Sequence, residues 1–302
     1  MWLILAFFSA AMLGFYDASK KASLKDNAVL PVLLLNTIFS TIIFSPFLIA
    51  YAGGFGWFEG TFLDTASGSQ NGLQAHIAVI IKAFIVLSSW ICGYFGLKHL
   101  PLTIVGPINA TRPVLVLVGA LVIFGEKLNI WQWTGVILAL LSIFLMSRAG
   151  KKEDIDFKSN KWIWCLALAT IMGAVSGLYD KFIMKSLAPM FVQSWFNFYQ
   201  MIIMTVICGL LWYPKRHQST PFRWRWSIPL ISLFICIGDF AYFTSLSEAD
   251  SMISVVSLVR RSSVIISFIC GVVIFKERNI KAKLFDLLLI LLGMAFIWMG
   301  TL

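Results

Sequence analysis

Four charged side chains stand deep inside runs of apolar residues: Arg112, Asp239 and the adjacent Arg260 and Arg261. A guanidinium presents a planar fork of donors that matches carboxylate or phosphate oxygens, and a carboxylate at such depth can pair with it or carry a proton. Asn109 precedes Arg112 by three residues and Tyr242 follows Asp239 by three, so within a helix each pair shares a face. Adjacent Arg260 and Arg261 diverge by about 100° around a helix axis, so at most one of them points straight at that axis of approach. The pattern predicts an anion-binding centre in which Arg112, Asn109, Arg260, Arg261 and Tyr242 touch substrate and Asp239 is the proton-coupling carboxylate. The opposing reading is that Asp17, Asp180 and Asp239 neutralise the three arginines and the network only ties helices together.

Two tyrosine-aspartate dyads, Tyr16-Asp17 and Tyr179-Asp180, lie about two thirds of the way along their apolar runs. Their placement suits coupling or gating, although Lys20, Lys21 and Lys181 are near enough in sequence to pair with them locally. Lys82, Trp90 and Tyr94 could line the outer half of a cavity, with Lys82 shallow enough to snorkel. Asn36, Asn197 and Gln200 read as interhelical hydrogen-bonding residues. Glu126 and Glu277, beside Lys127 and Arg278 at the ends of apolar runs, suit a helix-terminal structural role.

These residues need elements that can hold charge in an apolar setting, and the composition says what those elements are. Of the 302 residues 59% are hydrophobic and only 13% charged, against roughly 45 to 50% and about 25% in soluble domains. A bilayer core about 30 Å thick takes about 20 apolar residues per helical span. Runs of that kind fall near 2–22, 28–51, 75–97, 102–124, 130–148, 161–183, 191–213, 226–247, 251–275 and 281–301. The expected fold is all-α, a polytopic membrane protein of ten transmembrane helices. Each charge at the centre of a span costs about 2.5 to 3.5 kcal/mol on translocon scales, so three arginines together rival the stability of a whole domain. They must face a cavity or counter-ions.

Charge outside the spans sets orientation. Twenty-four basic against fourteen acidic residues give a formal +10, and the basic ones crowd every second connection, at Lys20 to Lys25, Lys98, Arg148 to Lys161, Lys215 to Arg225 and Lys276 to Lys283. The alternate connections hold little beyond Lys127 and Lys185, and Gly53 to Gln74 holds no Lys or Arg. The positive-inside rule makes the crowded loops cytoplasmic, with both termini on the non-cytoplasmic side of an inner (plasma) membrane. Scattered clusters of this kind form no basic face for nucleic acid. The first run has no basic segment before it and is retained as a helix rather than a signal peptide.

The five cysteines all lie in apolar runs without CxxC or Cys/His spacing, the three histidines are scattered, and there is no GxxxxGK[ST] motif. No metal, no cofactor and no enzyme chemistry are expected, and energy must come from a gradient or from exchange.

The chain also repeats itself. Ala11-Met12-Leu13-Gly14-Phe15-Tyr16-Asp17 is echoed by Ala174-Val175-Ser176-Gly177-Leu178-Tyr179-Asp180. Val122-Ile123-Phe124-Gly125-Glu126-Lys127 is echoed by Val273-Ile274-Phe275-Lys276-Glu277-Arg278, each followed by Asn-Ile. Residues 1–150 and 151–302 thus read as two five-helix repeats, and because five is odd they are inverted in topology. Inverted repeats place a substrate site at their midplane interface.

The segments Gly106-Pro107-Ile108-Asn109-Ala110-Thr111-Arg112-Pro113, Phe124-Gly125-Glu126-Lys127-Leu128 and Trp131-Gln132-Trp133-Thr134-Gly135 resemble the signature of the EamA family of the drug/metabolite transporter superfamily. A looser second copy runs from Ser254 to Gly293. The resemblance covers essentially the whole chain and implies ten helices, inverted repeats and a central cavity. It leaves the substrate open among amino acids, drugs, nucleotide sugars and sugar phosphates. The arrangement of the arginines is similar to that of plastid phosphate translocators in the same superfamily, where basic residues of the fourth and ninth helices hold a phosphate. The expected activity is secondary transport of a small polar metabolite, anionic or zwitterionic, by alternating access. Its partners are that small molecule, the lipid bilayer and protons as a coupling ion, in a monomer or homodimer. A flippase for lipid or carrier-lipid phosphates, or an exporter of amino acids or drugs, is the alternative.

Overall fold

A computed structural model describes residues 2–58, 61, 72–112, 114–116, 129–131, 133–135, 137–138, 141, 145, 159–184, 186–247, 256, 259–277 and 280–300. Among these residues the chain is helical, with no strand. The helices are α1 (Trp2–Leu24), α2 (Val29–Gly53), α3 (Gly72–His99), α4 (Leu102–Ala110), α5 (Lys161–Ile183), α6 (Pro189–Ile207), α7 (Ser227–Ser247), α8 (Ser263–Val273) and α9 (Ile280–Met299). They fall on the first to fourth and sixth to tenth apolar runs. Most of the fifth run, the Gly125-Glu126-Lys127 motif and the Arg148 to Lys158 connection lie outside the described residues.

Six segments are long and apolar enough to cross a bilayer: α1, α2, α3, Lys161–Asp180 of α5, α6 with the turns that follow it, and Ser227–Ser245 of α7. Many of their large apolar side chains point outward, among them Ile4, Ile42, Phe84, Leu168 and Leu230. In water that would be unfavourable; against lipid tails it needs no partner. Inside, large apolar side chains such as Leu33, Leu87 and Phe191 are buried beside small and polar ones such as Ala6, Ser9 and Ala10 on α1, and the small ones let membrane helices approach one another closely.

The elements that frame the interior are joined by a few specific devices. Gly14 of α1 lies so near Ile266 of α8 that a Cβ there would stand 2.5 Å from the isoleucine Cβ. Ser9 Oγ donates to the Gly238 carbonyl of α7 (2.6 Å), and Ser89 Oγ of α3 to the Ala169 carbonyl of α5 (2.7 Å). At the α3–α4 corner, Lys21 Nζ donates to the Leu97 and Leu100 carbonyls. Glu277 supplies the opposite charge at the start of α4: Oε1 accepts from the Leu102 N–H (2.6 Å), and Oε2 from the Thr103 N–H (2.8 Å) and hydroxyl (2.5 Å). A cation on the closing carbonyls of one helix and an anion on the opening N–H groups of the next both follow the helix dipole. Glu277 has the helix-terminal role its position suggested; its counterpart Glu126 is outside the described residues.

Candidate functional site

Two local interruptions of helix set the arginines in place. Pro107 in α4 has no N–H for the Thr103 carbonyl. The chain then tightens: Thr111 N–H and Thr111 Oγ1 both donate to the Ile108 carbonyl (3.2 and 2.7 Å). Arg112 follows this turn. Just before α8 the same device recurs, with Ser262 N–H and Ser262 Oγ donating to the Val259 carbonyl (3.0 and 2.6 Å). Arg260 and Arg261 lie inside that turn. Short hydroxyl side chains bonding back to the carbonyl three residues earlier compete with the helix ladder and re-aim what stands beside them.

The arginines open onto a cavity of about 180 Å³ walled by residues of α1, α3, α4, α5, α6, α7 and α8. Five cationic side chains reach it, Lys20, Lys82, Arg112, Arg260 and Arg261, and three carboxylates, Asp17, Asp180 and Asp239. Asp17 Oδ1 pairs with Lys20 Nζ at 2.7 Å, and its Oδ2 accepts from Ser267 Oγ at 3.2 Å. Asp180 of α5 pairs with Lys82 of α3, whose exposure is 3%. Asp239 of α7 pairs with Arg260, whose guanidinium also sits 4.0 Å over the Tyr242 ring. Every one of the three carboxylates is thereby engaged. No carboxylate among the described residues comes within ion-pair distance of Arg112 or Arg261, and Arg112 Nε is buried without a hydrogen bond.

The guanidinium of Arg112 rests against Gly173 of α5, where a Cβ would overlap it. Asn109 is fixed by Thr170, whose hydroxyl donates to Asn109 Oδ1 at 3.3 Å. Tyr16 lies under Lys20, with Nζ 3.9 Å from its ring centroid. Of the ten residues singled out in the sequence, nine line the cavity; Tyr179 does not, and its hydroxyl instead donates to the Ala78 carbonyl of α3 at 3.1 Å. Lys20, Lys82, Trp90 and Tyr94 line the cavity as well. Lys20, counted in the orientation signal and near enough to pair with Asp17, makes that pair inside the cavity, and Lys82, expected in its outer half and able to snorkel, is buried on Asp180 instead. The signal for Lys82 was there, since it is the one charge between Gly72 and Leu97. Gly173 carried no sequence signal of its own.

A sequence profile of the EamA-like transporter family matches residues 1–148 and 160–299. The chain belongs to the EamA-like transporter family. An uncharacterized transporter of Archaeoglobus fulgidus is 21% identical over 296 residues, spanning 96% of each chain. A solved crystal structure aligns with a TM-score of 0.65 at 15% identity, over 99% of this chain and 97% of its own, which shows a shared fold. The EamA-like chain is therefore a multi-pass membrane transport protein and not an enzyme, and among its described residues no group of His, Cys, Asp and Glu could hold a metal ion.

Proposed function

We propose that this EamA-like protein is a secondary transporter for a small anion, bound at the cavity by Arg112 and Arg261 with Arg260, Asn109 and Tyr242 around them. The observation that carries this reading is the charge count: five cations meet three carboxylates, and the carboxylates are spent on Lys20, Lys82 and Arg260. Two guanidiniums left over in a space shielded from bulk water favour a ligand with acidic oxygens, to which each offers a bidentate fork. Had the aspartates served only to neutralise the arginines, Arg112 would have a partner.

The reading includes ten helices in two inverted five-helix repeats, residues 1–150 and 151–302, alternating access around the cavity. Thr111 and Ser262, the two turn hydroxyls, are separated by the same 151 positions as Glu126 and Glu277. That equivalence supports a duplication in which α4 and the segment entering α8 are counterparts. Asp17, Asp180 and Asp239 are the coupling or gating groups. The cytoplasmic side is that of Lys21, Lys98 and Arg223, in an inner (plasma) membrane with both termini opposite.

Purified protein in liposomes, loaded with a panel of organic and phosphorylated anions, tests the reading directly. Uptake or exchange of at least one anion is expected, and Arg112→Gln should lower it by about 10- to 100-fold, the loss of one charge-assisted interaction. Unchanged exchange in Arg112→Gln would remove the arginine from the site.

A further inference from the structure

Beside the cavity runs a second polar region, between α2, α6 and α7, which contact one another. Asn36 and Ser40 are four apart on α2; Gln193, Asn197 and Gln200 follow at spacings of four and three on α6; Ser232, Cys236 and Asp239 do the same on α7. Each set is one helix face. None of these residues except Asp239 lines the cavity.

All of them but Asp239 are buried, Asn36, Gln200 and Ser232 completely. The seam is partly stitched: Ser232 Oγ donates to Asn36 Oδ1 (3.0 Å), Thr41 Oγ1 to the Asn197 carbonyl (3.0 Å), and Gln193 Nε2 to the Cys236 carbonyl (3.4 Å). Several atoms are left over. Asn36 Nδ2, Gln193 Oε1 and both the Nε2 and Oε1 of Gln200 have no hydrogen-bond partner. Interiors seldom leave such groups bare, least of all away from water in a membrane.

The chemistry of the leftover atoms identifies what satisfies them. Nδ2 and Nε2 donate, and the two Oε1 atoms accept. A cation would answer only the oxygens and an anion only the N–H groups, whereas water answers all. Gln193 and Gln200 are two turns apart, about 10 Å along the helix, so one molecule cannot serve both.

We propose that α2, α6 and α7 enclose a file of ordered water that runs from the Asn36–Ser232–Gln200 level to Asp239 and hydrates it from outside the substrate cavity. Asp239 is where the two regions meet: it shares one face of α7 with Ser232 and Cys236, and another with Ile235 and Tyr242 in the cavity wall. The carboxyl thus has a path for proton exchange that does not cross the substrate. This inference stands independently of which solute the cavity carries.

Radiolytic hydroxyl-radical labelling in ¹⁸O-water, on the full chain in nanodiscs, reads ordered water beside buried side chains. Cys236 and Met204, the latter four residues after Gln200, lie in the seam; Cys270 and Met294 are also buried, elsewhere and slightly less deeply, and serve as controls. Labelling of Cys236 and Met204 should exceed that of Cys270 and Met294 several-fold, and should fall to the control level in Gln193→Leu and Gln200→Leu. Equal labelling of seam and control residues in the unaltered protein would overturn the proposal. So would elevated labelling that both substitutions leave untouched, because the water would then not be held by these side chains.

Discussion

Gly173 of α5 and Arg112 at the end of α4 are in contact so close that a single methyl group on the glycine would occupy the space of the guanidinium. The arginine thus lies flat against a neighbouring helix backbone, its fork held without a carboxylate to hold it. A glycine here serves an arginine.

Gly173→Ala should therefore behave as an indirect Arg112 variant. The displaced guanidinium lowers anion transport by about 10-fold or more, since a charge-assisted hydrogen bond is worth about 1.5 to 3 kcal/mol. Combining it with Arg112→Gln should add little further loss, because the two share one interaction. Fully additive losses in liposome transport would mean that Gly173 acts elsewhere.

The Lys82–Asp180 pair spans α3 and α5 in a setting poor in water. Breaking such a pair leaves one uncompensated charge and costs about 3 to 5 kcal/mol, whereas removing both partners is often neutral. Lys82→Met and Asp180→Asn should each lower the unfolding temperature in detergent, and Lys82→Met with Asp180→Leu should recover most of it. If the double variant melts as low as the singles, the pair is not a unit.

Glu277 closes the first N–H groups of α4 from a distant part of the chain. Glu277→Ala removes that cap at a cost of about 1 kcal/mol, in line with capping substitutions. Faster hydrogen exchange at the amides of Leu102 and Thr103 is the expected signature, measured by mass spectrometry, with the amides of α2 unchanged. Protection that stays as in the unaltered chain would show another group caps the helix.

Ser159, just before α5, belongs to a connection rich in lysine. A cysteine placed there should react with a membrane-impermeant reagent only from the cytoplasmic face. Labelling from the outside alone reverses the orientation assigned by charge.

The helices were largely legible because their signal is composition over twenty residues, which no single contact can overturn. α1, α2, α3, α5 and α7 begin and end within about three residues of the expected limits, within the usual error on boundaries. The charged lining of the cavity was legible for a different reason. A charge at membrane depth is conspicuous, so Arg112, Asp239, Arg260 and Arg261 announced themselves, and nine of the ten chosen residues share one cavity. What could not be read was pairing. Sequence offered Lys181 to Asp180 by proximity, while the structure supplies Lys82 from ninety-eight positions away. Lys20 pairs with Asp17 as its spacing of three allows, so the local pair was legible where the distant one was not. Gly173 was invisible for a third reason: its importance lies in the side chain it lacks, which only a neighbour reveals.

The two unpaired guanidiniums also make the cavity electrically active. Each elementary charge carried through a potential of 100 mV exchanges about 2.3 kcal/mol with the field. On the alternating access and anion binding proposed above, an empty cavity bearing that surplus does work against or with the voltage as it changes its exposure from one side to the other, while a cavity filled by a doubly charged anion does not. Resting potential then acts on the return of the unloaded protein rather than on its loaded passage. Voltage steps across a planar bilayer should draw transient currents that the bound anion abolishes.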